Sequence, residues 1–271
     1  MMEDADWDSP EGLYNSKHML TPLFRNDITF KLPEVSLPMQ AKFEKSLQNA
    51  KTTDKNIKHL MNFHKGTTNV GFTFQGGVVI AVDSRASMGD FNASEEVYKL
   101  IKITDKMIGT MAGGAADCLF WEENLGRMVQ LYELEHNEEL TAASASRIFS
   151  NMMYKYRGRG LSIGSIVGGS DSKGTHLYYC DNDGNRVKGD IFTVGSGGTY
   201  AHGIVDSLRR WDMTVEEAVN LARKAIYEAV YCDSGSGGQV NIVVIDENGW
   251  RMVEKGQDNN ALIWKRIEAN S

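Results

Sequence analysis

The sequence predicts an α+β fold in which two mainly antiparallel sheets stack face to face, with a pair of helices covering each outer side. Two patterns carry this expectation. Apolar residues alternate or run on over short stretches bounded by turn residues, and elsewhere they recur at spacings of three and four. These textures come in runs (strands, two helices, strands, two helices, strands), whereas a parallel sheet would need one crossover helix per strand. The composition fits: 41% of the 271 residues are hydrophobic, ample for a packed core.

The chain changes character at Thr67. All four prolines (Pro10, Pro22, Pro33 and Pro38) precede it, and only Gly12 and Gly66 of the 27 glycines do. Residues 1–66 offer short extended pieces such as ITFKLPEVSL, where proline excludes a central strand, and then a polar stretch that admits a helix. Such a segment is poorly equipped to fold alone; it reads as a disordered arm or as a pro-segment that acts until it is removed. From Thr67 the elements follow in order. TNVGFTF and GVVIAVDSR form a hairpin about Gln-Gly-Gly, and YKLIKIT and KMIGTMAGG pair about Thr-Asp. AADCLFWEENLGRMVQLYELEH and TAASASRIFSNMMYKYRG are the first two helices. Strands return in LSIGSIVGG, THLYYCD and DIFTVGSG, with a strong turn at DNDGN. Helices follow in GTYAHGIVDSLRRW and TVEEAVNLARKAIYEAV, the latter opened by a Thr214/Glu217 capping box. GQVNIVVIDENGWRMVE closes the domain as a hairpin about Glu-Asn-Gly.

A formal charge of −7 without a basic stripe argues against nucleic acid or an anionic membrane as partner. No apolar stretch reaches the roughly 18 to 20 residues of a membrane span, and MMEDADWDSPEG lacks the regions of a signal peptide, so an intracellular home is expected. Cys118, Cys180 and Cys232, odd in number and widely spaced, read as reduced thiols rather than a disulfide framework or a metal site.

Taken singly, the candidate functional residues have ordinary readings. Gly66-Thr67-Thr68 punctuates a strand start, Asp83 caps a turn, and Lys99 is a solvated strand end. Gly113-Gly114 makes a strand-to-helix turn, Ser196 is a helix N-cap, and Asp233 to Gly238 form a polar loop. Ala86, Val97, Met111 and Ala115 are core. TMAGGAAD and VGGSDSKG follow neither a Walker nor a dinucleotide pattern.

Together, GTTNVGFTF, VVIAVDSRAS, TMAGGAADCLFWEENL, YYCDNDGN, VGSGGTYAHGIVDSLRRW and CDSGSGGQVNIVVIDENGW resemble proteasome beta subunits, most closely the chymotrypsin-like kind, over residues 67 to 255. The resemblance implies a four-layer αββα sandwich, the fold of N-terminal-nucleophile hydrolases, with residues 1–66 as propeptide and 67–271 as catalytic domain. It implies autolysis between Gly66 and Thr67, which frees the Thr67 hydroxyl as nucleophile together with an amine to serve as its base. A threonine hydroxyl is a weak nucleophile that must give up its proton as it attacks, and an amine of pKa about 7.7 to 8.0 suits that task. Asp83 and Lys99 match the ion pair beside the nucleophile, and Ser196, Asp233 and Ser236 the groups around the amine. The Gly113 amide matches the oxyanion donor.

Ala86, Ser87, Val97, Met111 and Ala115 match the substrate pocket, roomy and apolar, which implies cleavage after large hydrophobic residues. Ser87 stands where the family usually has threonine, at a position expected to bind substrate chiefly through its backbone, and the loop GDFNASEE also departs in detail. Implied partners are neighbouring beta subunits, the alpha ring, unfolded polypeptide substrates and assembly chaperones, in cytoplasm and nucleus. No cofactor or metal is expected. The alternatives are a non-catalytic ring subunit and a free-standing amidohydrolase acting on small amides.

Overall fold

The computed structural model describes residues 66–88 and 91–259. The pro-segment expected before Gly66 and the tail from residue 260 lie outside the described residues. Seven strands come first: β1 (Asn69–Phe74), β2 (Gly77–Val82), β3 (Ala86–Met88), β4 (Phe91–Ser94), β5 (Leu100–Lys102), β6 (Met107–Thr110) and β7 (Ala112–Gly113). Helices α1 (Ala115–His136) and α2 (Ala142–Lys155) follow, then β8 (Ile163–Asp171), β9 (Gly174–Asp181), β10 (Arg186–Lys188) and β11 (Ile191–Val194). Helices α3 (Gly198–Leu208) and α4 (Val215–Cys232) precede the final pair, β12 (Gln239–Asp246) and β13 (Gly249–Asp258).

One sheet runs β11-β1-β2-β12-β13 and the other β10-β9-β8-β6-β5, with β7 also on β8; every pairing is antiparallel. The period of two along β2 and β12 builds two cores at once. Val79 and Ala81 of β2, with Val240, Ile242 and Val244 of β12, face α3 and α4 through Ala201, Val205, Ala222, Ile226 and Ala229. Their alternates Val78, Ile80, Val82, Val243 and Ile245 pack on Leu100, Ile108, Ile166 and Leu177 of the other sheet. At about 1.5–3 kcal/mol for each fully buried aliphatic side chain, this inter-sheet layer fixes which sheet ends meet. Helices α1 and α2 cover the remaining face of the second sheet, so the four layers are αββα.

Local signals explain the helix limits. The Thr214 hydroxyl accepts from the Glu217 amide while the Glu217 carboxylate accepts from the Thr214 amide, completing the capping box. Thr141 caps α2 by accepting from Ser144, and α1 stops at Asn137, whose φ of 54° ends the helical path. The buried stripe of α1 is Cys118, Glu122, Leu125, Val129 and Tyr132, so a carboxylate occupies a core position.

Three features differ from the sequence expectation. KMIGTMAGG divides into β6 and β7 on either side of Thr110-Met111, because the Ile166 amide of β8 donates to the Thr110 hydroxyl at 3.0 Å instead of to a main-chain carbonyl there. The turn at DNDGN leads into the unforeseen short strand β10, after which DIFTV crosses to the first sheet and pairs with β1. Ala86–Met88 and Phe91–Ser94 form a separate two-stranded ribbon.

Candidate active site

The register of the first sheet gathers four strand ends at one edge. Asn69 pairs with Val82 and with Val194, and Val82 pairs with Asn241. The residues just before β1, after β2, after β11 and before β12 are therefore neighbours: Thr67-Thr68, Asp83, Ser196 and the loop 233–238. The second sheet adds Lys99, immediately ahead of β5.

Thr67 is buried, 6% exposed, and its hydroxyl accepts from the Lys99 ammonium at 3.0 Å and donates to the Gly66 carbonyl at 2.5 Å. Lys99 also donates to Asp83 Oδ1 at 2.6 Å, with both side chains almost wholly buried. Asp83 accepts further from the Thr68 amide at 2.9 Å and, through Oδ2, from the Gly237 amide at 3.1 Å. Burial strips water from both ions. It lowers Lys99 below the usual lysine range against the attraction of Asp83, and raises Asp83 against the pull of Lys99 and the two amides.

A second network surrounds the Thr67 nitrogen, which donates to Ser196 Oγ at 3.1 Å. Ser196 and Ser236 both donate to Asp233 Oδ2, at 2.6 and 2.7 Å, and Ser236 shares a 2.6 Å hydrogen bond with the Thr68 hydroxyl. With the Ser196 proton spent on Asp233, its oxygen lone pairs face the nitrogen. Ser196 does not cap α3, whose N-cap is Gly197 without a side-chain bond.

The remaining candidates are spread wider. Gly113 ends β7 at φ 108°, and in this state its amide is not among the partners of the Gly66 carbonyl. Ser87 touches Gly66 directly, its Oγ accepting from the Gly66 amide at 2.7 Å. Met111 is buried, and its carbonyl accepts from Asn69 Nδ2. Ala86 and Val97 are half-buried and Ala115 is exposed at the start of α1. Gly66 is not in the left-handed region; its need for hydrogen comes from packing, since an added Cβ would fall within 3.0 Å of the Gly235 backbone.

Sequence reasoning held Thr68, Gly235 and Gly237 within its candidate segments without a contact of their own, and it missed Arg85. The two glycines act through backbone position or close approach, and Thr68 through its amide and hydroxyl. Arg85 pairs with Glu95 and donates to the Ser234 carbonyl at 3.0 Å, binding the 233–238 loop to the end of β2. Its basic side chain after a strand carried no signal that distinguishes it from a surface arginine.

An αββα sandwich that holds a threonine hydroxyl against a buried lysine at the head of its first strand has the plan of the N-terminal-nucleophile hydrolases. The model of the proteasome subunit family matches residues 63–245. Proteasome subunit beta type-5-A of Arabidopsis thaliana is 47% identical over 219 residues, covering 81% of this chain and 77% of the plant protein. The probable proteasome subunit beta type-5 of Schizosaccharomyces pombe is likewise 47% identical, over 81% of this chain and 80% of its own. Proteasome subunit beta type-8 of Rattus norvegicus is 44% identical over 88% and 85%. The chain belongs to the proteasome subunit family.

Proposed function

We propose that the protein is a threonine endopeptidase of the 20S proteasome core, of the chymotrypsin-like kind, that activates itself by cutting between Gly66 and Thr67. One observation carries the reading: the Thr67 hydroxyl oxygen lies 2.5 Å from the Gly66 carbonyl oxygen and itself accepts from the Lys99 ammonium at 3.0 Å.

In the precursor the Thr67 nitrogen is an amide and offers no basic lone pair, so the hydroxyl proton leaves through Lys99 or a water it holds. Burial helps by lowering the lysine toward a neutral fraction. The Thr67 oxygen adds to the Gly66 carbonyl carbon, and collapse breaks the bond to the Thr67 nitrogen, which takes the proton relayed by Lys99 or its water and departs as a neutral amine. Water then hydrolyses the ester, leaving a Gly66 carboxylate on residues 1–66 and a free hydroxyl and amine on Thr67. In later turnovers that amine takes the hydroxyl proton directly, a general-base contribution of about 10²- to 10⁴-fold. Ser196, Asp233 and Ser236 orient the amine, Asp83 keeps Lys99 in place, and the Gly113 amide receives the oxyanion, a donor worth about 2.7–4 kcal/mol in other hydrolases. Ala86, Ser87, Val97, Met111 and Ala115 form the pocket for a large hydrophobic residue. The protein works in cytoplasm and nucleus within stacked rings of beta and alpha subunits, built with assembly chaperones and fed unfolded polypeptide.

Intact mass and N-terminal sequence of the native protein test this reading. The expected mature chain begins at Thr67, and Thr67→Ala is expected to keep residues 1–66 and to lose hydrolysis of hydrophobic peptides. Normal processing and turnover by Thr67→Ala would overturn it.

A further inference from the structure

We infer that the Ser87 side-chain hydroxyl is a positioning residue for the self-cut, holding the N–H of the residue whose carbonyl Thr67 attacks. The inference rests on the proposed cleavage between Gly66 and Thr67. Gly66 supplies the acyl side of that bond, and its amide donates to Ser87 Oγ at 2.7 Å, within the ordinary range for a hydrogen bond. Its Cα rests against the Gly235 backbone, its carbonyl oxygen takes the Thr67 hydroxyl, and the amide is thus the third fixed point of the segment.

The acceptor is notable for being a side chain. A peptide lying beside a strand is ordinarily held by main-chain carbonyls, which no substitution removes. Here the register of the β3-β4 ribbon shifts between Ala86 and Ser87. Such an irregularity breaks the strict alternation of side chains and re-aims the one that follows. The hydroxyl at 87 accordingly does what the sequence assigned to its backbone.

A neutral hydrogen bond of this kind contributes about 0.5–1.5 kcal/mol, which is about 2- to 12-fold in rate. The decisive comparison uses Ser87→Thr, which keeps the hydroxyl, and Ser87→Val, which has nearly the shape of threonine without it. Self-cleavage, followed by intact mass after synthesis, is expected at a near-native rate in Ser87→Thr and several-fold slower in Ser87→Val. Recovery of the rate by the hydroxyl-bearing Ser87→Thr and not by Ser87→Val is the signature of the hydrogen bond, and equal maturation of the two variants overturns the inference. Failure of the unsubstituted chain to cut after Gly66 would instead overturn the functional reading beneath it.

Discussion

Gly66→Ala adds a single methyl where the structure has no room for one. The new carbon would fall within 3.0 Å of the carbonyl oxygen, the carbonyl carbon and the Cα of Gly235, closer than a real Cβ approaches such atoms. All three are backbone, so no rotamer relieves the overlap. Either residue 66 or the 233–238 loop must move by roughly 1 Å, and displacement on that scale costs about 10²-fold in a reaction that depends on alignment. The expected result is self-cleavage slowed by about 10²-fold, equivalent to about 2.7 kcal/mol of barrier, in a time course of intact mass after synthesis. In the proposed cut residue 66 leaves with residues 1–65, so the fraction that does mature is expected to turn over peptide at the native rate per chain. Maturation of Gly66→Ala at the native rate would refute the packing argument, and a matured chain with reduced turnover would show that the damage lay in the fold instead.

Replacing Lys99 by Ala in a Thr67→Ala background removes one ion of a buried pair and leaves Asp83 uncompensated; denaturant unfolding is expected to show a loss of about 3–5 kcal/mol, and an unchanged midpoint would contradict the pairing. Glu122 is fully buried with both carboxylate oxygens unpartnered, and burial raises it well above the usual range despite the neighbouring Ser165 hydroxyl. A raised folded value means that its contribution is complete below the unfolded value, near 4.5, and is lost as pH climbs through the folded one. Glu122→Gln is therefore expected to gain in Tm over the unsubstituted chain as pH rises from 4 to 8, and a pH-independent difference would count against an ionisable core group. Burial pushes the Cys180 thiol up to about 12 and Cys118 is also buried, whereas Cys232 is exposed. Iodoacetamide at pH 8 is expected to add a single label, at Cys232, in the native chain, read by peptide mass.

Much of the architecture was legible because two periodicities write it directly. VVIAV alternates its side chains between a helix pair and a sheet, and α1 places its buried residues three and four apart. What was not legible follows from long-range geometry. Ala-Ser-Met and Phe-Asn-Ala-Ser are too short to show a period, and no local feature of DIFTV says that it leaves β9 for β1. The side chains of the site were named through resemblance, since Asp83 and Lys99 in isolation read as strand-end polar groups. Their burial depends on how the two sheets meet, and the three donors converging on Asp83 come from the neighbouring strand of its hairpin, from the second sheet and from a loop 154 residues away. Gly235 and Gly237 act only by where their backbones lie.

The carboxylate of Asp83 joins an amide at residue 68, an ammonium at residue 99 and an amide at residue 237. These groups come from the two ends of the domain and from both sheets, and no pair of them is brought together by local structure. The Asp83 junction thus exists only after β12 has taken its place beside β2, by which point nearly all of the chain from Thr67 onward has been synthesised and packed. The chemistry proposed at Thr67 is in this way coupled to the completeness of the fold: a truncated or half-assembled chain has the hydroxyl but lacks the surroundings that would activate it.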